Sequence, residues 1–346
     1  MRFVRRRLPR LLSQSKHQRM IGILSLLMLS ACSKVIDSKY PIEAHEFVIL
    51  STASTQYRSL TNEISHYYQA PVLNFDKISQ SELIRKLRVI DPLYALIVVP
   101  PEKITTVTAR SLFEAFCSVH DEPEDPYLDV AFGYISGLDS EDARELFHRA
   151  KADVDTMHNY VGLSHVYDLD VYCHNKVNDF GSYYSHGGWD TTSVIEGGPR
   201  WLQDRDAELA KFSGNQLIFC CGHGSYFSLC GIREEHFEHM DLNHSIIVSG
   251  ACYTGGIFPP DPSACIAMLA IAHGASIHIA NMSLNGWMYM EHIALGIYYY
   301  DQSVGISFRD GLNIVYQEYQ QYDLNTLPCV ILYGDPSYRP VVARWR

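Results

Sequence analysis

The chain has 346 residues, 47% hydrophobic and 12% aromatic, which is more apolar content than one small core needs. Its 28 basic and 39 acidic residues leave a formal charge of −11, which argues against a function built on binding nucleic acid. No low-complexity tract and no repeat of fixed short period interrupts it.

Residues 1–31 carry seven basic residues between Arg2 and Arg19, no acidic one, and end in the apolar run IGILSLLMLSA. A basic flank ahead of a short apolar run is the layout of an export signal, and the run falls short of the roughly 20 residues of a transmembrane helix. Leu29-Ser30-Ala31-Cys32 is similar to the lipobox of bacterial lipoproteins. That resemblance implies cleavage before Cys32, a lipid on Cys32, and anchoring in the bacterial cell envelope. Ser33 in the next position is similar to outer-membrane sorting signals. The basic stretch is long for such a leader, so Met20 is an alternative start. Residues 32–45 then read as a tether. The mature chain keeps 21 basic against 39 acidic residues, a net of −18, and nucleic acid is not an expected partner.

From Glu46 short apolar runs alternate with amphipathic stretches: EFVIL, YRSLTNEISHYY, APVLNF, SELIRKL, YALIVVP and ARSLFEAFCSV. This is a β-α-β-α pattern, and runs without polar alternation such as YALIVVP suit a parallel sheet covered by helices on both faces. After the acidic, Pro-containing loop at 121–126 come the predicted strand LDVAFGYIS and the charged helix SEDARELFHRAKADV. Residues 46–165 therefore read as one α/β subdomain. The second, 166–346, opens near SHVYDLDVY, passes a glycine-containing loop at 181–198, and enters the helix WLQDRDAELAKF. Two apolar strands follow, one ending at Gly222-His223-Gly224 and the other at Gly250-Ala251-Cys252. Helix and strand alternation then continues to CVILYGDP.

Polar residues at the exits of buried parallel strands carry the functional signal, because ligands bind an open α/β sheet at the carboxyl ends of its strands. A cysteine becomes a nucleophile when an imidazole removes its proton, and the same imidazole can protonate a leaving amine. His223 and Cys252 fit these roles. A glycine after the histidine lets the backbone approach a substrate carbonyl, so the N–H groups of Gly224 and Cys252 are the expected oxyanion donors. Cys220 and Cys221 lie within an apolar strand and read as core residues. The nine cysteines are irregularly spaced, no zinc-type CxxC pair occurs, and few disulfides are expected. His236, His239 and His244 have a spacing that would suit a metal, but REEHFEHMDLNH reads more readily as an amphipathic surface helix. No cofactor is expected, and a structural calcium is not inferable from the residues.

Strand-His-Gly followed by strand-Ala-Cys resembles the caspase, legumain, clostripain and gingipain peptidases. DPYLDVAFGYISGLDSEDARELFHRA is similar to the segment ahead of the gingipain catalytic subdomain, and ILYGDPSYRP to its closing strand. The similarity spans roughly residues 46–340 and is strong in these islands. It implies an α/β fold of two side-by-side subdomains with mostly parallel sheets, the second caspase-like and catalytic, and a cysteine endopeptidase acting on peptides or proteins. Two departures stand out. Gly224-Ser225-Tyr226 follows the histidine where gingipain-type sequences place an acid, and Tyr134 replaces their strand arginine. Asp190 in SHGGWD is the candidate acid to orient His223, and reads equally well as a solvated turn aspartate. Asn281 and Asn285 lie where related peptidases build pocket walls, although ordinary turn roles fit them better. Two other readings stay open: a caspase-fold lipoprotein that binds an envelope partner without cleaving, and a transpeptidase in which an amine resolves the Cys252 thioester.

Overall fold

The computed structural model describes residues 46–120, 127–152, 157, 159–165, 191–196, 205–214, 216–284, 289–318 and 326–341. Cys32, Cys173, Asp190 and Asn285 lie outside the described residues. The first four strands are β1 (Phe47–Ser51), β2 (Val72–Asn74), β3 (Tyr94–Val98) and β4 (Ala131–Ile135). Four helices accompany them: α1 (Arg58–Tyr68), α2 (Gln80–Ile90), α3 (Thr106–Phe116) and α4 (Ser140–Arg149). Strands β1, β3 and β4 are buried along their whole length, as expected of parallel strands covered on both faces. Three helix starts are fixed by side-chain caps. Ser79 accepts from the Glu82 N–H, Thr105 from that of Thr108, and the Asp139 carboxylate from those of Glu141 and Asp142.

The later strands are β5 (Asn159–His165), β6 (Thr191–Glu196), β7 (Leu217–Gly222), the short pair β8 (Gly224–Ser225) and β9 (Ser228–Leu229), β10 (Ile246–Ser249), β11 (Ile277–Asn281) and β12 (Val330–Tyr333). Their helices are α5 (Arg205–Ala210), α6 (Glu234–Phe237), α7 (Ile266–Ala272), α8 (Tyr289–Tyr298) and α9 (Val304–Glu318). Ten strands form one sheet in the order β2-β1-β3-β4-β12-β11-β10-β7-β5-β6. Every ladder of more than one residue pair is parallel except β11 with β12, and β12 meets β4 at Tyr333 and Tyr134. The strand partners of β5 are β6 and β7.

Strands β5, β6, β7, β10 and β11, the second half of the sheet, run in one direction, and β12 runs against β11. The carboxyl ends of these five strands therefore open on one edge of the sheet. Any site at the exits of β7 and β10 is built by the second half.

The seam between the halves is closed by a buried ion pair. Asp335, directly after β12, is fully buried and receives Lys151 Nζ and the Tyr68 hydroxyl on one oxygen. Its other oxygen accepts the Ser337 N–H at 2.8 Å and the Ser337 hydroxyl at 2.7 Å. Burial alone would raise this carboxyl, but Lys151, Tyr68 and Ser337 outweigh it and hold the group below the ordinary carboxylate range. The Lys151 ammonium also lies over the rings of Tyr67, Tyr68 and Phe147, at 4.5 to 5.1 Å from their centroids.

Candidate active site at the exits of β7 and β10

Leu217 to Cys221 of β7 and Ile246 to Ser249 of β10 are all buried, so both strands are fixed by the core on each side. Their parallel register pairs Ser249 with Cys220, and the Gly250 N–H extends the ladder to the Cys220 carbonyl at 2.8 Å. His223 and Cys252 each stand three residues beyond that last pair, at the exits of neighbouring strands. His223 is exposed and Cys252 half-buried.

Gly224 joins the two exits. A side-chain carbon at this position would lie 2.7 Å from the Cys252 carbonyl oxygen, 2.7 Å from Thr254 Cγ2 and 2.8 Å from Ala251 Cβ. Only glycine allows the histidine strand to pass this close to the cysteine turn. The His223 carbonyl accepts the Cys230 N–H at 2.9 Å, closing the β8–β9 hairpin over the exit.

The turn that carries Cys252 is held on several sides. The Ser249 carbonyl accepts the Tyr289 hydroxyl at 2.6 Å, and the Ser249 hydroxyl accepts the Ala251 N–H at 3.2 Å. The Thr254 hydroxyl donates to the Ala251 carbonyl at 3.0 Å, and Asn281 Nδ2 donates to the same carbonyl at 3.4 Å. The chain then folds back over β11 and β12, where the Gly255 N–H reaches Asn281 O at 2.8 Å and the Tyr333 hydroxyl donates to Gly255 O at 2.8 Å. His278, paired with Tyr333 across the strands, donates Nε2–H to Thr254 O at 3.2 Å. Tyr253, next to Cys252, has φ of +61°, a left-handed conformation that costs a bulky residue roughly 1 to 2 kcal/mol. Hydrogen bonds from the Tyr253 N–H to Ser283 O and from the Gly256 N–H to Tyr253 O hold it there.

Burial pushes the Tyr289 phenol well above its usual range, and the nearby Cys252 adds to the effect. Burial likewise raises the Cys220 thiol and drives His278 down to about 4, against a smaller upward pull from its bond to Thr254. Of the seven described cysteines, Cys117, Cys220, Cys221, Cys230, Cys265 and Cys329 are buried thiols, and Cys252 alone is partly accessible.

The other sequence candidates take different places. His236 is buried, and its Nδ1 accepts the Arg233 N–H at 2.8 Å, which closes a four-residue α6 where a longer surface helix was expected. Among the described residues no three His, Cys, Asp or Glu side chains gather into a metal-binding group. Asn281 ends β11 fully buried against the Cys252 turn. Sequence reasoning missed the supports Ser249, Thr254, Tyr289 and Tyr333. A Ser and a Thr flanking Ala-Cys were the only local sign of them.

The solved structure of gingipain R, described as an Arg-specific cysteine proteinase, superposes with a TM-score of 0.64 at 15% sequence identity, covering 87% of this chain and 79% of that one. The chain has the gingipain fold. A second solved structure, described as a protease, gives a TM-score of 0.62 at 9% identity over 86% of this chain and 79% of that one. No family model matches the sequence, and no curated protein does. His223 and Cys252 both follow strands of the second half of the sheet, β7 and β10.

Proposed function

We propose that the chain is a cysteine endopeptidase with His223 and Cys252 as its catalytic pair. The observation that carries this reading is the contact at Gly224, which draws the histidine strand exit onto the cysteine turn at the carboxyl edge of the sheet. Cys252 is also the one described cysteine that a substrate can reach. His223 takes the thiol proton as the sulfur attacks the peptide carbonyl, and the N–H groups of Gly224 and Cys252 stabilise the oxyanion. Collapse of the tetrahedral intermediate breaks the C–N bond, and His223 returns the proton to the departing amine. Water, deprotonated by His223, then hydrolyses the thioester and frees the carboxylate product and the thiol. Asp190 is the proposed orienting acid, and lipid on Cys32 the proposed anchor to the bacterial envelope.

Acyloxymethyl ketone probes bearing arginine, lysine, asparagine or aspartate beside the warhead test the pair. Labelling of the wild type that disappears in both Cys252→Ala and His223→Ala is the expected result, and the most reactive probe names the preferred residue. A folded wild-type protein that none of the probes labels, with calcium and after limited proteolysis, would overturn the peptidase reading in favour of a binding protein. Added amines that yield ligated rather than hydrolysed product would identify a transpeptidase.

A further inference from the structure

Four aromatic rings continue directly from the candidate pair. Tyr226 and Phe227 form the turn of the β8–β9 hairpin that leaves His223 and Gly224, Tyr253 follows Cys252, and Phe258 stands on the loop beyond. Tyr226 lies 5.3 Å from Tyr253 and 6.0 Å from Phe258, ring centre to ring centre, and Phe227 meets Phe258 edge-on at 5.3 Å. The inner pair is half-buried, while Phe227 and Phe258 are 39% and 38% exposed. Two adjacent exposed phenylalanines keep apolar surface in water at a cost, unless a ligand covers it.

This surface is rigidly built. The Phe258 N–H donates to Cys265 Sγ at 3.1 Å, the Asp261 N–H to Phe258 O at 3.0 Å, and the Ile266 N–H to Tyr226 O at 2.8 Å. A side-chain carbon at Gly256 would meet Tyr226 Cε1 at 2.5 Å, so the glycine leaves room for that ring. The left-handed Tyr253 sets the third ring beside it. A fixed arrangement of this kind costs little entropy on binding.

From this placement we infer that Tyr226, Phe227, Tyr253 and Phe258 form a subsite for a bulky apolar or aromatic side chain of the substrate, within two residues of the cleaved bond. The inference rests on the peptidase reading for its substrate. Its chemistry is separate from that of the residue taken before the bond, because no charged side chain takes part in the four-ring cluster.

The test compares the full-length wild type with Phe258→Ala and the double variant Phe227→Ala/Phe258→Ala, both at exposed positions that leave the core intact. Cleavage of a peptide library, mapped by mass spectrometry, should show phenylalanine, tryptophan, leucine or methionine enriched at one position within two residues of the cut. For such peptides kcat/KM should fall about tenfold or more in the double variant, while peptides with alanine there change less than twofold. Enrichment of arginine or lysine at that position, or equal losses for alanine and phenylalanine peptides, would overturn the subsite. The same peptides are also titrated onto Cys252→Ala by fluorescence anisotropy. Binding that prefers phenylalanine peptides and weakens in Cys252→Ala/Phe258→Ala upholds the subsite even if no cleavage is seen. No binding preference and no cleavage overturns it together with the peptidase reading.

Discussion

Gly224→Ala is the sharpest perturbation of the proposed site, because it adds one carbon at the point where the two strand exits touch. That carbon would start 2.7 Å from Cys252 O and Thr254 Cγ2, whereas ordinary contact begins at 3.4 Å. The exits must separate by about 0.7 Å to admit it. The cysteine turn resists, since Ser249, Thr254, Asn281 and Tyr289 fix it, so the histidine strand carries most of the displacement. Overpacking of this kind costs about 1 to 3 kcal/mol of stability. Misplacing a catalytic group by about 1 Å costs on the order of a hundredfold in rate, so a shift of 0.7 Å should slow labelling of Cys252 by at least about tenfold. The assay is the rate of probe labelling at 25 °C alongside thermal unfolding. A variant that labels within twofold of wild type while remaining folded would refute the idea that this contact sets the geometry of His223 and Cys252.

Two further predictions concern the frame behind the site. His278 is buried and neutral, with its pKa lowered from 6.5 to about 4, chiefly by desolvation. Below pH 6.5 the unfolded chain binds a proton at this position that the folded one does not, so stability should fall as the pH drops from 6.5 to 4, by about 3 kcal/mol in all. His278→Gln keeps an N–H for Thr254 O and should lose this part of the slope in urea unfolding at pH 7, 5.5 and 4.5. An unchanged slope would assign the effect to other groups. Asp335→Asn should destabilise the protein by about 3 kcal/mol by leaving Lys151 without its buried countercharge, and Lys151→Met/Asp335→Leu should cost less than the single change. The folded pKa of Asp335 is lowered, so its contribution is present at neutral pH and fades as acidification passes below the unfolded carboxylate value of about 3.9. A loss under 0.5 kcal/mol for Asp335→Asn, as at a surface site, would show that the pair does not hold the seam.

Much of the architecture was legible in the sequence because strands covered on both faces must be apolar throughout. FVILS, YALIV, LIFCCG and IIVS all stand where the runs predicted. The polar exits His223 and Cys252 were visible for the same reason, as breaks in otherwise buried runs. Strand direction was not legible, since VILY is equally apolar whichever way β12 runs, and only its neighbours decide. Asn159–His165 mixes glycine, serine and histidine with its apolar residues, and gave no clear run. The short α6 went unrecognised because the histidine that suggested an exposed helix face turns inward to cap the backbone. The aromatic cluster escaped notice because its members come from two separate turns that meet only in the folded chain.

The close approach at Gly224 makes the loops after β7 and β10 the part of the molecule least open to remodelling. Its three nearest neighbours, Cys252 O, Thr254 Cγ2 and Ala251 Cβ, would all stand within 2.8 Å of an added side-chain carbon, so an insertion or sequence drift in either loop would pull the two strand exits apart. Two segments of the chain, nearly thirty residues apart, are thereby bound to change together or not at all.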